Sequence, residues 1–340
     1  MFEKIFYEKN IENHPKTQFL LNKFSQTPNM AIDRVDDIFG RVKKPYLQKR
    51  TNLNLFIGEK RGQLVKETPA AYGLSGEPHY YFIHSYNCLY ECDYCYLQGY
   101  FHSPDLVFFV NHEDILKEME SVVKINKEKG HKTIWFHAGE YSDSLALSHL
   151  TKELPQYFDF FKKNPEAKLE LRTKSANIRE LKELAPLKNV IVSFSLSPKD
   201  KIKDHDLKTP PLKARIKAIE TLRELGHPIA LHFDPIIYGP CFKEDYEELL
   251  KSLMKVMKPK DIKYISFGVV RFTKEVYHQV KKNYPDSKIH HQEFIKSFDG
   301  KVRYIKPQRL WMLQTIKDLC LNNGMKEEQL YLCMEAEESE

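Results

Sequence analysis

"SYNCLYECDYCYLQGY", residues 85–100, decides how the rest of this chain is read. It carries Cys88, Cys92 and Cys95, half of the six cysteines in 340 residues, spaced C-x3-C-x2-C. Thiolates on one short loop can wrap a compact soft metal centre, and iron–sulfur clusters normally take four of them. With three, one iron of a [4Fe–4S] cluster keeps a position for a small molecule. Zinc is the rival reading. Structural zinc favours two separated pairs of ligands; Cys241, Cys320 and Cys333 are distant in sequence, although His84 could complete such a site.

The loop follows an apolar run, "HYYFIHS" (79–85), the first of six strand-like segments. The others are "TIWFHAG" (133–139), "KLELRTK" (168–174), "VIVSFSL" (190–196), "PIALHFDP" (228–235) and "YISFGVVRF" (264–272). Helix-period segments lie between them. After Asn111 as N-cap, Ile115, Met119 and Val122 share a face up to Gly130. Over 209–226, Thr209 is placed to cap, Pro210 to open the first turn and Gly226 to close, with Leu212, Ile216, Ile219 and Leu222 as one apolar stripe. Strands alternating with helices predict parallel β/α units, in an open doubly wound sheet or a curved, incomplete barrel. Either way, loops after the strand C-termini carry the chemistry. The cysteines, "GEYSD" (139–143), Lys174, Ser195 and "DPIIYGPC" (234–241) all fall at that edge.

Hydrophobic residues at 41% and charged residues at 29% describe a globular chain that can bury a full core. No apolar run approaches the roughly 20 residues of a membrane span. The first residues, "MFEKIFYEKNIENHPK", lack a signal-peptide core, so a cytoplasmic location is expected, where cysteines stay reduced and serve metals or catalysis. The net charge of +6 concentrates in "RVKKPYLQKR" (41–50) and "GEKRGQLVK" (58–66), segments suited to phosphate contact or to a solvated surface, while the tail "EAEESE" is acidic.

The cysteine spacing, directly after a first strand and followed by Tyr96, resembles the signature of radical S-adenosylmethionine (SAM) enzymes. The ordered set "CLYECDYCYLQ" (88–98), Ser142-Asp143 with "HLT" (149–151), "TK" (173–174), "FS" (194–195) and "RFTK…NYP" (271–285) resembles the spore photoproduct lyase family more narrowly. "YLQKRTNLNLFIGEKRG" (46–62) has the same flavour. The resemblance implies a partial (β/α)6 barrel of the TIM type over 77–285, with a basic N-terminal extension (1–76) and a C-terminal hairpin and helix extension (286–340). It implies a [4Fe–4S] cluster on Cys88, Cys92 and Cys95, with SAM on its open iron. SAM cleavage then gives a 5′-deoxyadenosyl radical that abstracts hydrogen from a methylene-bridged thymine dimer in DNA. By position, Ser142, Lys174 and Ser195 contact SAM, Tyr94 and Tyr96 stand near the radical relay, and Arg271, Arg303 and Tyr304 are substrate candidates. DNA and a flavodoxin or ferredoxin as electron donor are the implied partners of a monomeric enzyme.

Two departures stand out. The family's hydrogen-donating cysteine precedes the matched serine by two residues, where this chain has Glu140. Gly139-Glu140 instead resembles the Gly-Gly-Glu element of other radical SAM enzymes, in which the glutamate accepts from the methionyl ammonium of SAM. Cys241, after the fifth strand, is the expected replacement donor. Near the C-terminus, "SFDGKVRYIKPQRLW" (297–311) keeps Arg303-Tyr304 and a turn at Asp299-Gly300 but lacks the family's glycine-rich tip. Lys301, Lys306, Arg309 and Trp311 around it suit phosphate contact and stacking. Two rivals therefore stay open: a related radical SAM enzyme acting on another nucleobase lesion, RNA or a peptide, and a nucleic-acid-binding protein with a structural metal.

Overall fold

The computed structural model describes residues 2–40, 52–69, 76–297 and 299–333. The basic stretch 41–50 and the acidic tail lie outside the described residues. The chain opens with β1 (Phe2–Glu8), α1 (Pro15–Lys23), β2 (Asn29–Ile32), β3 (Leu53–Gly58), β4 (Val65–Glu67), β5 (His79–Phe82) and β6 (Ser85–Tyr86). After the cysteine loop come α2 (Leu97–Tyr100), β7 (Leu106–Phe109), α3 (His112–Glu128), β8 (Ile134–Ala138), α4 (Ser148–Thr151), α5 (Leu154–Lys163), β9 (Ala167–Thr173) and β10 (Val190–Ser195). Then follow α6 (Lys199–His205), α7 (Leu212–Glu224), β11 (Ile229–Ile236), α8 (Phe242–Met254), β12 (Ile262–Val269), β13 (Arg271–Phe272) and α9 (Lys274–Asn283). The short β14 (Ile295–Lys296) and β15 (Val302–Arg303), α10 (Lys306–Asn322) and β16 (Leu330–Leu332) complete it.

The principal sheet has the order β16-β12-β11-β10-β9-β8-β5-β4. The six strands expected from the sequence are its parallel centre, with β16 added in parallel at one edge and β4 antiparallel at the other. Its order runs from edge to edge without closing, so the architecture is a half-barrel. Side-chain alternation decides what each face holds. Phe136, Leu169, Leu171, Val192, Phe194, Leu231, Phe233, Ile265 and Phe267 point outward and are buried under α3, α5, α7, α8 and α10. Fully burying a side chain of this size stabilises by roughly 1.5–3 kcal/mol. The residues between them face the lumen.

Two expected strands differ from their prediction. The run 79–85 breaks after Phe82, and Ser85–Tyr86 joins a second sheet of order β2-β1-β3-β7-β6. The run 264–272 breaks at Val270; Arg271–Phe272 pairs with β15 in a small three-stranded sheet. Helix α7 begins after Pro211, and Thr209 does not cap it: its hydroxyl donates to the carbonyl of Asp206 instead. The mostly parallel second sheet, built from N-terminal strands, has its own apolar core of Ile5, Leu55, Ile57, Leu106 and Phe108. Its edge pair β6–β7 brackets residues 87–105, so the cysteine loop is anchored by both sheets.

Candidate active site

The loop is fixed at its entrance by Asn87, whose φ of 62° is left-handed and whose amide donates to the carbonyls of Ser103 and Asp105, each at 2.7 Å. Asparagine is among the few residues that adopt this conformation readily. Backbone bonds from Glu91 to Leu207 and from Asp93 to His205, both 3.0 Å, staple the loop to the end of α6 and the residues just after it. The buried carboxylate of Asp93 reinforces them, contacting His205 Nδ1 at 3.0 Å and accepting from the Ser287 hydroxyl. Gln98 donates to the carbonyl of Cys92 and accepts from Asn283, docking α2 on α9. Gly99 allows this close approach, since an added Cβ would lie 3.1 Å from Val276 Cα and push α9 away.

The three thiols sit within electrostatic reach of one another and of Lys174. Burial pushes each thiol up; Lys174 pulls the other way, and the backbone N–H groups of Tyr90 and Leu97 favour the charged sulfurs of Cys88 and Cys95. The Tyr90 N–H lies 3.4 Å from Cys88 Sγ. Cys88 and Cys95 line one concavity with Leu89, Leu97 and Asn87; Cys88 lines a second with His84, Ser142 and Asp143. Among the described residues no group of His, Cys, Asp and Glu closes on a single-ion site. An apolar wall, N–H donors to sulfur and a nearby cation suit a thiolate-held cluster, and the expected [4Fe–4S] group fits these residues.

Asp143 organises the opposite rim. One carboxylate oxygen accepts from the backbone of Leu145 and Ala146 and from the Thr173 hydroxyl at 3.0, 2.8 and 2.6 Å; the other accepts from the Lys174 N–H at 2.7 Å. The loop after β8 is thereby tied to the end of β9. Gly139 turns that loop with φ +88°, and a Cβ there would meet Ser144 Oγ at 2.6 Å. Glu140 follows it, and its carbonyl accepts from the Tyr96 hydroxyl. The Ser142 hydroxyl lies 3.0 Å from His84 Nε2. Ser195, buried at the end of β10, is held through its carbonyl by Arg215 Nη1 at 2.9 Å.

Tyr94 lies under the Lys174 ammonium, 5.7 Å from ring centroid to Nζ, and donates its phenol proton to Asp206. Tyr96 is exposed and packs its ring edge-on against Tyr100 and Tyr141. Sequence reasoning missed Asp93, Asp206 and Arg215. Asp206 and Arg215 stand more than a hundred residues from the loop they support, and Asp93, within it, meets partners just as distant in His205 and Ser287; an Asp or Arg on a polar segment carries no signal of burial.

The lumen beneath this rim is polar. Glu170 is fully buried and accepts from His137, His232 and Tyr264 at 2.5–2.6 Å and from Arg172 at 3.1 Å. Burial alone would raise its carboxyl, but Arg172, His232 and His137 hold it well below the usual range. Above it Asp234 faces Arg271 at 3.3–3.4 Å, a contact that needs glycine at 268, where a Cβ would lie 2.5 Å from the carboxylate. Leu330 and Leu332 of β16 pack on the outer core, whereas Tyr331 packs inward on Tyr264. Cys333 shares the inward side, where burial chiefly and Asp234 push its thiol up to about 11. Cys241 is exposed at the start of α8.

Arg303 and Tyr304, expected to face substrate, need correcting. Tyr304 is fully buried, accepting from the Tyr238 N–H and donating to Gln292, both at 3.1 Å. Arg303 is buried against Ser297 and Asp299. Arg309 also turns inward, donating to the Tyr304 carbonyl at 2.8 Å. Residues at the end of a two-residue strand follow the core rather than the tip. Lys306 and Trp311 do face outward, Trp311 resting on Phe242.

Residues 3–319 match the family model described as spore photoproduct lyase. Spore photoproduct lyase of Bacillus subtilis (strain 168) is 28% identical over 296 residues, 84% of this chain and 83% of that one. Spore photoproduct lyase of Clostridium acetobutylicum is 24% identical over 336 residues, 95% of each. Among solved structures, spore photoproduct lyase complexed with dinucleoside spore photoproduct is similar with a TM-score of 0.80, at 19% identity and 98% coverage of both chains. A mutant of that enzyme with bound AdoMet and dinucleoside spore photoproduct gives 0.79, at 18% identity and 99% coverage of both. These likenesses establish the half-barrel fold.

Proposed function

The chain belongs to the spore photoproduct lyase family, and on that premise we propose that it is a radical SAM lyase returning the spore photoproduct in DNA to two thymines. The observation that carries the reading is the three-thiol loop held at the C-terminal rim of a half-barrel, within reach of Lys174 and sharing a concavity with Ser142. Membership in an enzyme family sets aside the rival of a non-enzymatic binding protein with a structural metal.

Cys88, Cys92 and Cys95 hold the [4Fe–4S] cluster. When bound, cluster and SAM together supply the 5′-deoxyadenosyl radical that takes a hydrogen from the lesion. The chain's own residues bind and orient. Lys174 faces the SAM carboxylate as a point charge, Glu140 accepts from its ammonium, and Ser142 and Ser195 meet its polar groups. Gly139 gives the backbone room for that approach. Tyr94, inside the loop, and Tyr96, just after it, confine the radical. Arg271, held by Asp234, faces the lesion from the lumen, and Lys306 and Trp311 contact flanking DNA by charge and stacking. A thiol returns the hydrogen in place of Glu140: Cys241 at the α8 end of the rim was the sequence candidate, and Cys333 is the thiol on the lumen side. A flavodoxin or ferredoxin supplies the electron to a cytoplasmic monomer; among the described residues no helix is long and apolar enough to cross a membrane.

Anaerobic reconstitution followed by incubation with dinucleoside spore photoproduct, SAM and reductant tests the reading. Thymine recovered alongside 5′-deoxyadenosine supports it. SAM cleavage without thymine assigns the chain to the second reading, another lesion, RNA or a peptide, which the Glu140 position favours.

A further inference from the structure

Behind the rim lies a line of three side chains from three separate elements. Ser142 follows β8, His84 sits between β5 and β6, and Glu153 precedes α5. The Ser142 hydroxyl is 3.0 Å from His84 Nε2, and His84 Nδ1 lies 3.4 Å from Glu153 Oε1. His84 and Glu153 are buried, at 5% and 1% exposure. At 3.4 Å the Nδ1–Oε1 approach is longer than a closed hydrogen bond, and Glu153 Oε2 has no hydrogen-bond partner. All three line the concavity that Cys88 also lines.

The chemistry of this line fixes its polarity. Burial would raise the Glu153 carboxyl, but His84 brings it down to about 2, so it is a carboxylate at neutral pH. A neutral imidazole has one N–H and one lone pair. In that neutral form, a carboxylate facing Nδ1 favours the proton on Nδ1 and leaves the lone pair on Nε2. Ser142 then donates its only proton to Nε2. Its two lone pairs are what remain for anything arriving from the Cys88 side. Such a hydroxyl accepts from an ammonium or a ribose hydroxyl and offers nothing to a carboxylate, which Lys174 is placed to take.

We propose that His84 and Glu153 are positioning residues that fix the Ser142 hydroxyl as a hydrogen-bond acceptor toward SAM. This rests on the reading that Ser142 meets SAM. The second and third members of the line never touch the cofactor; they act by choosing the imidazole tautomer.

Equilibrium binding of labelled SAM to the reconstituted, unreduced enzyme tests this without turnover. Ser142→Ala weakens binding roughly tenfold, the scale of one well-made hydrogen bond to a charged group. Glu153→Gln keeps the volume but presents an amide N–H to Nδ1, moves the imidazole proton to Nε2 and turns the Ser142 proton outward. It weakens SAM binding about as much alone, and less than twofold further in the Ser142→Ala background, because coupled residues are not additive. His84→Gln, which can accept from Ser142 through its carbonyl and donate toward Glu153, retains binding to within about threefold, whereas His84→Leu, the better packing substitute, loses it. That pair carries the test should Glu153→Gln fail to fold. If Ser142→Ala leaves binding unchanged, the assignment of Ser142 to SAM falls and the proposal with it. If Ser142→Ala weakens binding but Glu153→Gln does not, or the two losses multiply, the proposal alone is overturned.

Discussion

Tyr94 donates its phenol proton to Asp206 from inside the cysteine loop, joining the middle of that loop to a carboxylate 112 residues away. Asp206 is buried and lies 2.8 Å from the guanidinium of Arg215, which is fully buried itself and also donates to Pro210, Thr209 and Ser195. Arg215 is therefore the hub that holds the loop's tyrosine and the end of β10 in one register. Arg215→Met leaves Asp206 as an uncompensated buried charge, and removing one partner of such a pair costs about 3–5 kcal/mol. The loss is expected as a lowered thermal midpoint, partly restored by adding Asp206→Asn. Arg215→Lys does not restore it, since one ammonium cannot reproduce a planar fork with four partners. Equal stability of Arg215→Met and wild type in thermal denaturation would remove the hub.

Iron content separates the cluster ligands from the other thiols. Cys88→Ala, Cys92→Ala and Cys95→Ala are each expected to lose nearly all iron and sulfide after anaerobic reconstitution, with the visible absorption. Cys241→Ala, Cys320→Ala and Cys333→Ala keep both, because none of those thiols lies on the loop. A Cys241 or Cys333 variant that fails to load iron would show that the centre draws on a ligand outside the C-x3-C-x2-C spacing.

Two carboxyls behind the rim shift stability with pH in opposite senses. Glu153 is depressed to about 2, so its contribution is present above its ordinary value of 4.5 and is lost as pH falls toward 2. Glu180 is raised to about 7, by burial first and the Glu153 charge second, so its contribution is full below 4.5 and is lost as pH rises through 7. The folded state binds more protons than the unfolded chain across that upper window, and stability falls with pH there. Glu180→Gln removes the ionisation. It is expected to raise the thermal midpoint at pH 8 relative to wild type and to do little at pH 4.5. A gain of equal size at both values would exclude Glu180 as the source.

How much of this was legible in the sequence follows from how local each signal is. The six strands and the cysteine loop were readable because alternation, turn residues and C-x3-C-x2-C spacing act within about ten residues. Gly139 was readable as part of a motif, and its left-handed φ of +88° gives the physical reason. The N-terminal parallel sheet was missed: Phe2–Glu8 and Leu53–Gly58 pair across some fifty residues, and a short apolar run does not announce its partner. The His84–Glu153 contact was missed for the same reason, since separation of 69 positions hides a pair whose members look like ordinary polar residues. Arg303 and Tyr304 were misplaced because a motif match transfers identity without burial. Tyr304 supports the hairpin from beneath, through Gln292 and Tyr238.

The returning hydrogen gives the last prediction. Glu140 stands where the family resemblance puts a thiol, and a carboxylic acid does not release a hydrogen atom to a carbon radical. An S–H does: the sulfur–hydrogen bond breaks, a methyl C–H forms on the thymine, and the thiyl is reset by one electron from the flavodoxin- or ferredoxin-class donor and one proton from solvent. Cys241 is exposed at the α8 end of the rim, while Cys333 is buried on the lumen side with Asp234 and Arg271 acting on its thiol, which stays protonated at neutral pH. Of the two thiols Cys333 is the one shielded from solvent, and it is therefore the expected donor. In D2O, exchange of the thiol places one deuterium in the product methyl. Cys333→Ala is expected to abolish that label and divert product to adducts, while Cys241→Ala keeps it. The reverse pattern assigns the transfer to Cys241, and retention of the label in both single variants and the double variant rules out either thiol as the donor.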